Sequence, residues 1–307
     1  MTTPLPVRGV CFGFEVHSEM EVRFLRRGRG VPVTVTTHSE TDPEADEQLV
    51  VEWKPRSLRP FHGRVYQNPS GRYRVWTSDA GWFLVDPAKR HIAVEQQVEA
   101  LRREVRLLTT PMLLMMIERG LLPFHASAVE VDGKAVLFGA PSRFGKTTIA
   151  AGFHAAGFRV LAEDVTGVQV GDGPVVLPGP ALLRVRRDVA ERLDFSGTRL
   201  VGEDTERSFL AIEPDRAGAG EPVPLGAVVL LRGEEDKVRL ERVAGVELLR
   251  DLWALAFKLP TDPDFERCFA GITVLSERVP IWNLHQPFDL ERLPGTVQHL
   301  ASSVSAG

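Results

Sequence analysis

The sequence predicts an α/β domain over 121–307, preceded by a β-rich region over 1–95 and a helical connector over 96–120. Between 134 and 156, an apolar run of strand length, a glycine-containing turn and a run of helix formers follow one another. Before 95, short runs of β-branched and aromatic residues alternate with Gly, Pro, Asn and charged residues. With 307 residues, the chain is long enough to bury a sizeable core.

Composition excludes several classes of protein. Lys and Arg total 37 against 41 Asp and Glu, so the net charge of -4 gives no basic field for nucleic acid. Cys11 and Cys268 form neither a disulfide framework nor a metal cluster, which is typical of a reducing compartment. The N-terminus lacks an apolar signal core, and the apolar run at 112–117 is too short to span a bilayer. We therefore expect a cytoplasmic protein without nucleic-acid or membrane partners.

The β-rich region predicts antiparallel strands. Trp53, Trp76 and Trp82 could line a peptide groove or fill the core of the sheet, and the sequence leaves both open. The region contains no catalytic constellation, so we expect it to contribute to recognition of an acceptor.

The connector has apolar residues on one helical face. They are spaced as in a helix over 96–109, and Pro111 and Gly120 bound a second helix. The residues on that face are Val98, Leu101, Val105 and Leu108.

A phosphate-binding loop follows the apolar run at 134–138. The segment matches the P-loop pattern [AG]-x4-G-K-[ST], with Ala140 in the first position. Backbone N–H groups and the N-terminal end of the next helix would surround a polyphosphate. Lys146 would contact the β- and γ-phosphates, and Thr147 would hold Mg²⁺. The expected nucleotide-binding residues are Ala140, Pro141, Ser142, Arg143, Phe144, Gly145, Lys146, Thr147 and Thr148.

An acidic pair, Glu163 and Asp164, ends the next apolar run at 158–162. Such a pair is commonly a solvated turn or a helix cap. A strand returning parallel beside the loop strand, however, would end at the same edge as the phosphate site. This position at the edge of the sheet favours a functional role for Glu163 and Asp164 over a turn or a cap.

Four motifs follow one another along this part of the chain: His125–Val129, Asp132–Gly133, Gly145–Thr147 and Ala162–Asp164. In order and spacing they resemble the catalytic domain of the HPr kinase/phosphorylase family. The likeness is specific over 121–190, weaker to 300 and only architectural before 100. It is nearest to bacterial relatives that carry an N-terminal β-rich region and accompany peptide natural-product clusters, including the lasso-peptide kinases.

The resemblance implies an HPr kinase-like, PEP carboxykinase-like α/β fold for 121–307. It implies an ATP-dependent or GTP-dependent kinase that uses Mg²⁺ and phosphorylates a hydroxyl, most often serine, of a peptide or protein. A catalytic base is implied at Glu163, with His125 assisting. The family usually has two aspartates where this chain has Glu163 and Asp164, and a small residue where it has Arg143.

Two further roles follow from the residues. Asp164 is expected to hold the metal with Thr147. Arg184 opens an arginine-rich stretch and is expected to neutralise charge on the transferring phosphate. A small-molecule kinase on the same fold, or a non-catalytic nucleotide-binding protein, remains open, as does a homo-oligomer.

The C-terminal part predicts a flexible loop or lid over 196–220, because Gly, Ala and charged residues dominate it. Strands are predicted over 225–231 and over 237–243, paired with each other, and a further strand over 280–285. Helices are predicted over 246–258, 264–273 and 289–303.

Overall fold

The computed structural model describes residues 5–38, 46–54, 61–96, 98–141, 144–243 and 245–305. An eight-stranded sheet occupies the N-terminal part, in the order β1-β2-β3-β8-β7-β6-β5-β4. Its strands are β1 (Val7–Cys11), β2 (Phe14–Ser18), β3 (Val31–His38), β4 (Gln48–Trp53), β5 (Gly63–Gln67), β6 (Tyr73–Thr77), β7 (Gly81–Asp86) and β8 (His91–Glu95).

The predicted β-rich region is confirmed, but its pairing is not wholly antiparallel. Strands β4 to β8 form an antiparallel meander, whereas β2, β3 and β8 are parallel neighbours. The chain leaves β3, builds the meander and returns β8 beside it, and such a crossover permits parallel pairing. The local alternation of apolar and polar residues does not predict this parallel pairing of β8 with β3.

Trp76 and Trp82 lie outside the buried face of this sheet, whereas Trp53 packs against the core. Trp76 and Trp82 are half-buried, with ring centroids 6.5 Å apart, and the Arg74 guanidinium lies 4.2 Å from the Trp82 ring. Trp53 is partly buried against the hydrophobic core. The peptide-groove interpretation stays a prediction.

Two helices follow the sheet, α1 (Ala100–Leu107) and α2 (Thr110–Glu118). The Glu99 carboxylate caps α1 by accepting from the N–H groups of Leu101 and Arg102. Helix α2 is buried along most of its length because the protein covers it on several sides.

The second part of the chain contains a nine-stranded sheet and a three-stranded sheet. Its strands are β9 (Leu122–Phe124), β10 (Ala126–Val131), β11 (Lys134–Gly139), β12 (Arg159–Ala162), β13 (Thr166–Gln169), β14 (Val175–Leu177), β15 (Leu182–Arg186), β16 (Thr198–Glu203), β17 (Arg207–Ile212), β18 (Val223–Glu234), β19 (Arg239–Arg242) and β20 (Ile281–Gln286). Its helices are α3 (Lys146–Ala155), α4 (Arg187–Ala190), α5 (Pro214–Ala217), α6 (Val246–Leu255), α7 (Asp262–Arg278) and α8 (Leu293–Ser305).

Strand β10 lies between β11 and β12 and is antiparallel to both. Strand β12 therefore runs parallel to β11, as expected. The sequence-based prediction that the two strands are neighbours is wrong, because β10 lies between them. The β10–β11 hairpin turns at Asp132 and Gly133, whose φ angles are 49° and 74°, as a two-residue turn with positive φ requires. This arrangement brings the start of β10 and the ends of β11 and β12 to one edge of the sheet.

The predicted lid over 196–220 is wrong. This segment forms β16, β17 and α5, and β17 lies between β15 and β16 in the three-stranded sheet. Phe209, Leu210 and Ile212 are buried there, so apolar burial outweighs the Gly and charge content on which the prediction depended. The helices α6, α7 and α8 are confirmed, but β19 pairs with β20 rather than with β18.

The N-terminal sheet and the second part share one hydrophobic core. Phe12, Phe14 and Phe83 of the first sheet belong to the same cluster as Met112 of α2 and Leu182 of β15. The connector is therefore a packed layer rather than a linker. None of the described helices is both long and apolar enough to cross a membrane.

Arg26 adds a polar link between the two parts. Its side chain is 2% exposed and donates to the carbonyls of Gly179 and Val160 at 2.8 Å, and also to Leu161 and Ala217. Burial, together with the neighbouring Arg159, lowers the pKa of Arg26 to about 9. Val160 and Leu161 belong to β12, so Arg26 fixes the strand that ends at the acidic pair.

Candidate functional site

Four parts of the fold meet at the edge where β11 and β12 end. His125 precedes β10, the phosphate-binding loop follows β11, and Glu163 and Asp164 follow β12. Arg184 reaches the same place from β15. The residues that the sequence singled out for catalysis, all within the described part of the chain, are thus brought together.

Gly145 shapes the end of the phosphate-binding loop. It caps α3 with a φ of 89°, a left-handed conformation that favours glycine. The first N–H groups of a helix have no acceptor within it, and the positive end of the helix dipole adds to them. The start of α3 is therefore suited to an anion. The predicted roles of Ser142 and Arg143 lie outside the described residues.

The Lys146 ammonium lies under the loop. It donates to the carbonyls of Ala140 at 2.7 Å and Pro141 at 3.2 Å, and the side chain is buried. A cation is therefore held beside the carbonyls of Ala140 and Pro141, just after β11.

Glu163 turns its side chain into the protein. Its carboxylate is 4% exposed, and Oε1 accepts from the Thr147 hydroxyl at 2.6 Å. Its other oxygen accepts from Arg184 Nε at 2.9 Å, and a nitrogen of Arg207 lies 3.9 Å from Oε1. The main-chain carbonyl of Glu163 also accepts from the Ser127 hydroxyl. Both oxygens of this carboxylate are engaged.

Asp164 faces the cleft instead. Its side chain is 38% exposed, with Oδ2 at 2.7 Å from Arg184 Nη2 and Oδ1 at 3.4 Å from His125 Nδ1. Burial raises the pKa of the Asp164 carboxyl, but Arg184, His125 and Arg207 outweigh it and hold the pKa well below the usual value. Asp164 is therefore ionised at neutral pH.

His125 is held beside Asp164. Its Nδ1 lies 3.2 Å from the Asp164 main-chain carbonyl, and its ring meets the Phe257 ring edge to face at 5.9 Å. Burial lowers the pKa of His125, Asp164 opposes this effect, and the Lys146 ammonium adds to it. The imidazole is therefore neutral near neutral pH, and its Nδ1 can donate to Asp164.

Arg184 bridges the two carboxylates. Burial lowers the pKa of its guanidinium, but Glu163 and Asp164 raise the pKa far more, so the group stays charged. Breaking such a partly buried cluster by removing one partner leaves an uncompensated charge, which is strongly unfavourable.

The pairing of Thr147 differs from the sequence-based expectation. Thr147 was expected beside Asp164, but its hydroxyl contacts Glu163. Successive side chains at a strand end point to opposite sides, so Glu163 points under the loop while Asp164 points into the cleft. Sequence reasoning also missed Arg207, because only the position of β17 brings it to the site.

A cleft of about 500 Å³ lies in front of these groups. Its charged side chains include Lys146, Asp164, Arg184 and Arg207. Its apolar lining includes Phe144, Phe288, Leu290 and Leu293.

No family model and no curated protein sequence matches this chain. Among solved structures, the chain is similar to the Hpr(Ser) kinase/phosphatase from Coxiella burnetii, with a TM-score of 0.33 and 10% sequence identity. The match covers 60% of this chain and 96% of that chain. A similarity this distant supports no statement about function, which we infer from the site.

Proposed function

We propose that the protein is an ATP-dependent or GTP-dependent phosphotransferase that passes the γ-phosphoryl group to the hydroxyl of a serine in a peptide or protein. The observation that carries this proposal is the hydrogen bond from Thr147 to the buried Glu163 carboxylate, 2.6 Å long. It joins the start of a phosphate-binding helix to an acidic pair, an arrangement that nucleotide-hydrolysing and nucleotide-transferring P-loop proteins share.

Phosphate binding would use Lys146 and the start of α3. The ammonium of Lys146 contacts the carbonyl of Ala140 in the loop, and the first N–H groups of α3 have no acceptor within the helix. The expected binding residues 140–148 are thus consistent with a polyphosphate site, with 142 and 143 outside the described residues.

The donor set fits Mg²⁺, which prefers hard oxygen ligands and is commonly held by one or two protein groups together with phosphate oxygens. Thr147 offers a hydroxyl and Glu163 a carboxylate at the same point, and Asp164 is adjacent. When bound, Mg²⁺ would supply charge neutralisation for the phosphate oxygens.

The geometry favours an exchange of the two carboxylate roles expected from the sequence. Glu163 is buried against Thr147 and so suits the metal, whereas Asp164 opens into the cleft and suits the acceptor hydroxyl. A general base must come within hydrogen-bond reach of the proton that it accepts. Asp164 would accept that proton as the bond to phosphorus forms, and His125 would hold the carboxylate in place.

Because its pKa is low, the Asp164 carboxylate is better suited to orienting the acceptor hydroxyl than to removing the proton of that hydroxyl early in the reaction. Transferring phosphoryl groups pass through a loose transition state, in which little proton transfer is needed before the bond to phosphorus forms. Arg184 and Arg207 would then neutralise charge that spreads over the equatorial oxygens. Both line the cleft.

Calorimetric titration of the full chain with ATP and Mg²⁺ tests the proposal. We expect saturable binding that Lys146→Ala severely weakens. Lys134→Ala is the matched control, because Lys134 is exposed on β11, away from the loop, and should bind like the wild type. Equal affinity of the Lys146→Ala and Lys134→Ala variants would contradict the proposal.

A further inference from the structure

The cleft in front of α3 is lined by two chemically different sets of groups. Its lining includes the cationic side chains of Lys146, Arg184 and Arg207 and also aromatic and aliphatic side chains. A nucleoside triphosphate has the same division, because its polyphosphate is anionic and its base is flat and largely apolar.

Two phenylalanines form the aromatic part of this lining. Phe288 is 51% exposed and follows β20, and Phe144 immediately precedes Gly145 in the phosphate-binding loop. Their ring centroids are 6.5 Å apart, with an angle of 87° between the ring planes. A single exposed phenylalanine is ordinary on a protein surface. Two rings at a right angle, however, form a corner in which a flat molecule can stack on one and meet the edge of the other.

The position of this corner identifies its occupant. Phe144 directly precedes Gly145, the residue that caps α3, so the corner borders the proposed phosphate site. Leu290 and Leu293 also line the cleft, and its volume of about 500 Å³ lies within the range of small-molecule sites.

We propose that Phe144 and Phe288 form the site for the purine base of the nucleotide, an inference that depends on the proposed function. Stacking against aromatic side chains contributes to affinity with any base, since every base has a π-face. The loop after β20 thereby becomes a part of the nucleotide site that the phosphate-binding motif does not include.

The test compares two ligands that share a polyphosphate. ATP carries the base, and inorganic tripolyphosphate lacks both base and ribose, so each is titrated with Mg²⁺ into the wild type and into Phe288→Ala. We expect Phe288→Ala to raise the Kd of ATP by about 5- to 100-fold and to leave the Kd of tripolyphosphate unchanged. Phe288→Trp, which keeps an aromatic face, should restore ATP affinity.

The control is Phe269→Ala, because Phe269 is 56% exposed on α7 and lies outside the cleft lining. It should bind both ligands like the wild type. Unchanged ATP affinity in Phe288→Ala would overturn the base site while leaving the proposed function intact. Equal weakening of ATP and tripolyphosphate would also overturn it, since Phe288 would then act through the loop. A wild type that binds neither ligand would overturn the proposed function itself.

Discussion

The Thr147 hydroxyl donates to Glu163 Oε1 at 2.6 Å, which joins the phosphate-binding loop to the end of β12. Arg184 holds the other carboxylate oxygen at 2.9 Å, and the carboxylate is almost fully buried. The loop, the acidic pair and the three-stranded sheet are therefore one connected unit. A change at Thr147 should therefore affect both the free energy of unfolding and the binding of nucleotide.

Thr147→Ala removes the donor and leaves a buried carboxylate oxygen with one partner fewer. An unsatisfied buried acceptor costs about 1–3 kcal/mol, so we expect a lower free energy of unfolding without nucleotide. We also expect weaker binding of Mg²⁺-ATP, measured by calorimetry. Thr147→Ser keeps the hydroxyl and should preserve both properties. Identical behaviour of the two variants would show that the hydroxyl has neither role.

Asp164→Asn keeps the shape of the side chain and removes its charge. A positioned base contributes about 10²- to 10⁴-fold in rate, so turnover should fall by that order while ATP affinity stays close to wild type. Glu163→Gln should instead raise the Mg²⁺ concentration needed for activity. If Glu163→Gln lost turnover at a normal Mg²⁺ requirement and Asp164→Asn did not, the roles first expected from the sequence would apply.

His125 should make stability depend on pH in the acidic range. Burial lowers the pKa of folded His125 below that of an unfolded histidine, about 6.5, so the unfolded chain binds more protons. The contribution of His125 to stability is complete above about pH 6.5 and is lost as the pH falls through its folded pKa. His125→Gln should therefore flatten the fall of unfolding free energy below about pH 6.5. The exposed His299, changed to Gln, is the control and should leave that slope unchanged.

Arg26→Met should destabilise the whole chain. It keeps an apolar stem but removes the Arg26 donor from the buried carbonyls of Val160 and Gly179, whereas the Ala217 carbonyl still accepts from Arg159. At about 1–3 kcal/mol for each unsatisfied group, the expected loss is on the order of 3 kcal/mol or more, measured by urea unfolding. Arg27→Met is the matched control, because the Arg27 side chain is exposed. Equal stability of the two variants would contradict the role given to Arg26.

The N-terminal sheet is not a separable module, because it shares a hydrophobic core and the Arg26 contacts with the second part of the chain. A chain that begins near Gln96 would lose Arg26 and uncover the shared core around Met112 and Leu182. We expect such a chain not to fold. Acceptor recognition by the sheet therefore has to be tested with point variants of the full chain.

The features that the sequence predicted are those encoded over short distances. The strand, the loop and the helix at 134–155 and the acidic pair are each recognisable within about ten residues. Helices α6 and α7 were predicted for the same reason, because their apolar periodicity is local.

The features that the sequence missed depend on contacts between distant segments. The parallel pairing of β2, β3 and β8, and the placement of β10 between β11 and β12, follow from chain topology rather than from local patterns. Arg207 belongs to no motif and reaches Glu163 only because β17 pairs with β15. The contact of Thr147 with Glu163 rather than Asp164 depends on which way the end of β12 turns.

Phosphoryl transfer itself gives the most direct test of the central claim. The full chain would be incubated with Mg²⁺-ATP and with serine-containing peptides encoded beside its gene, and both ADP and the mass of each peptide would be measured. We predict ADP formation matched by one added phosphate on a peptide, and neither product with Lys146→Ala. A wild type that binds ATP yet forms no ADP with any of these peptides would contradict a peptide kinase.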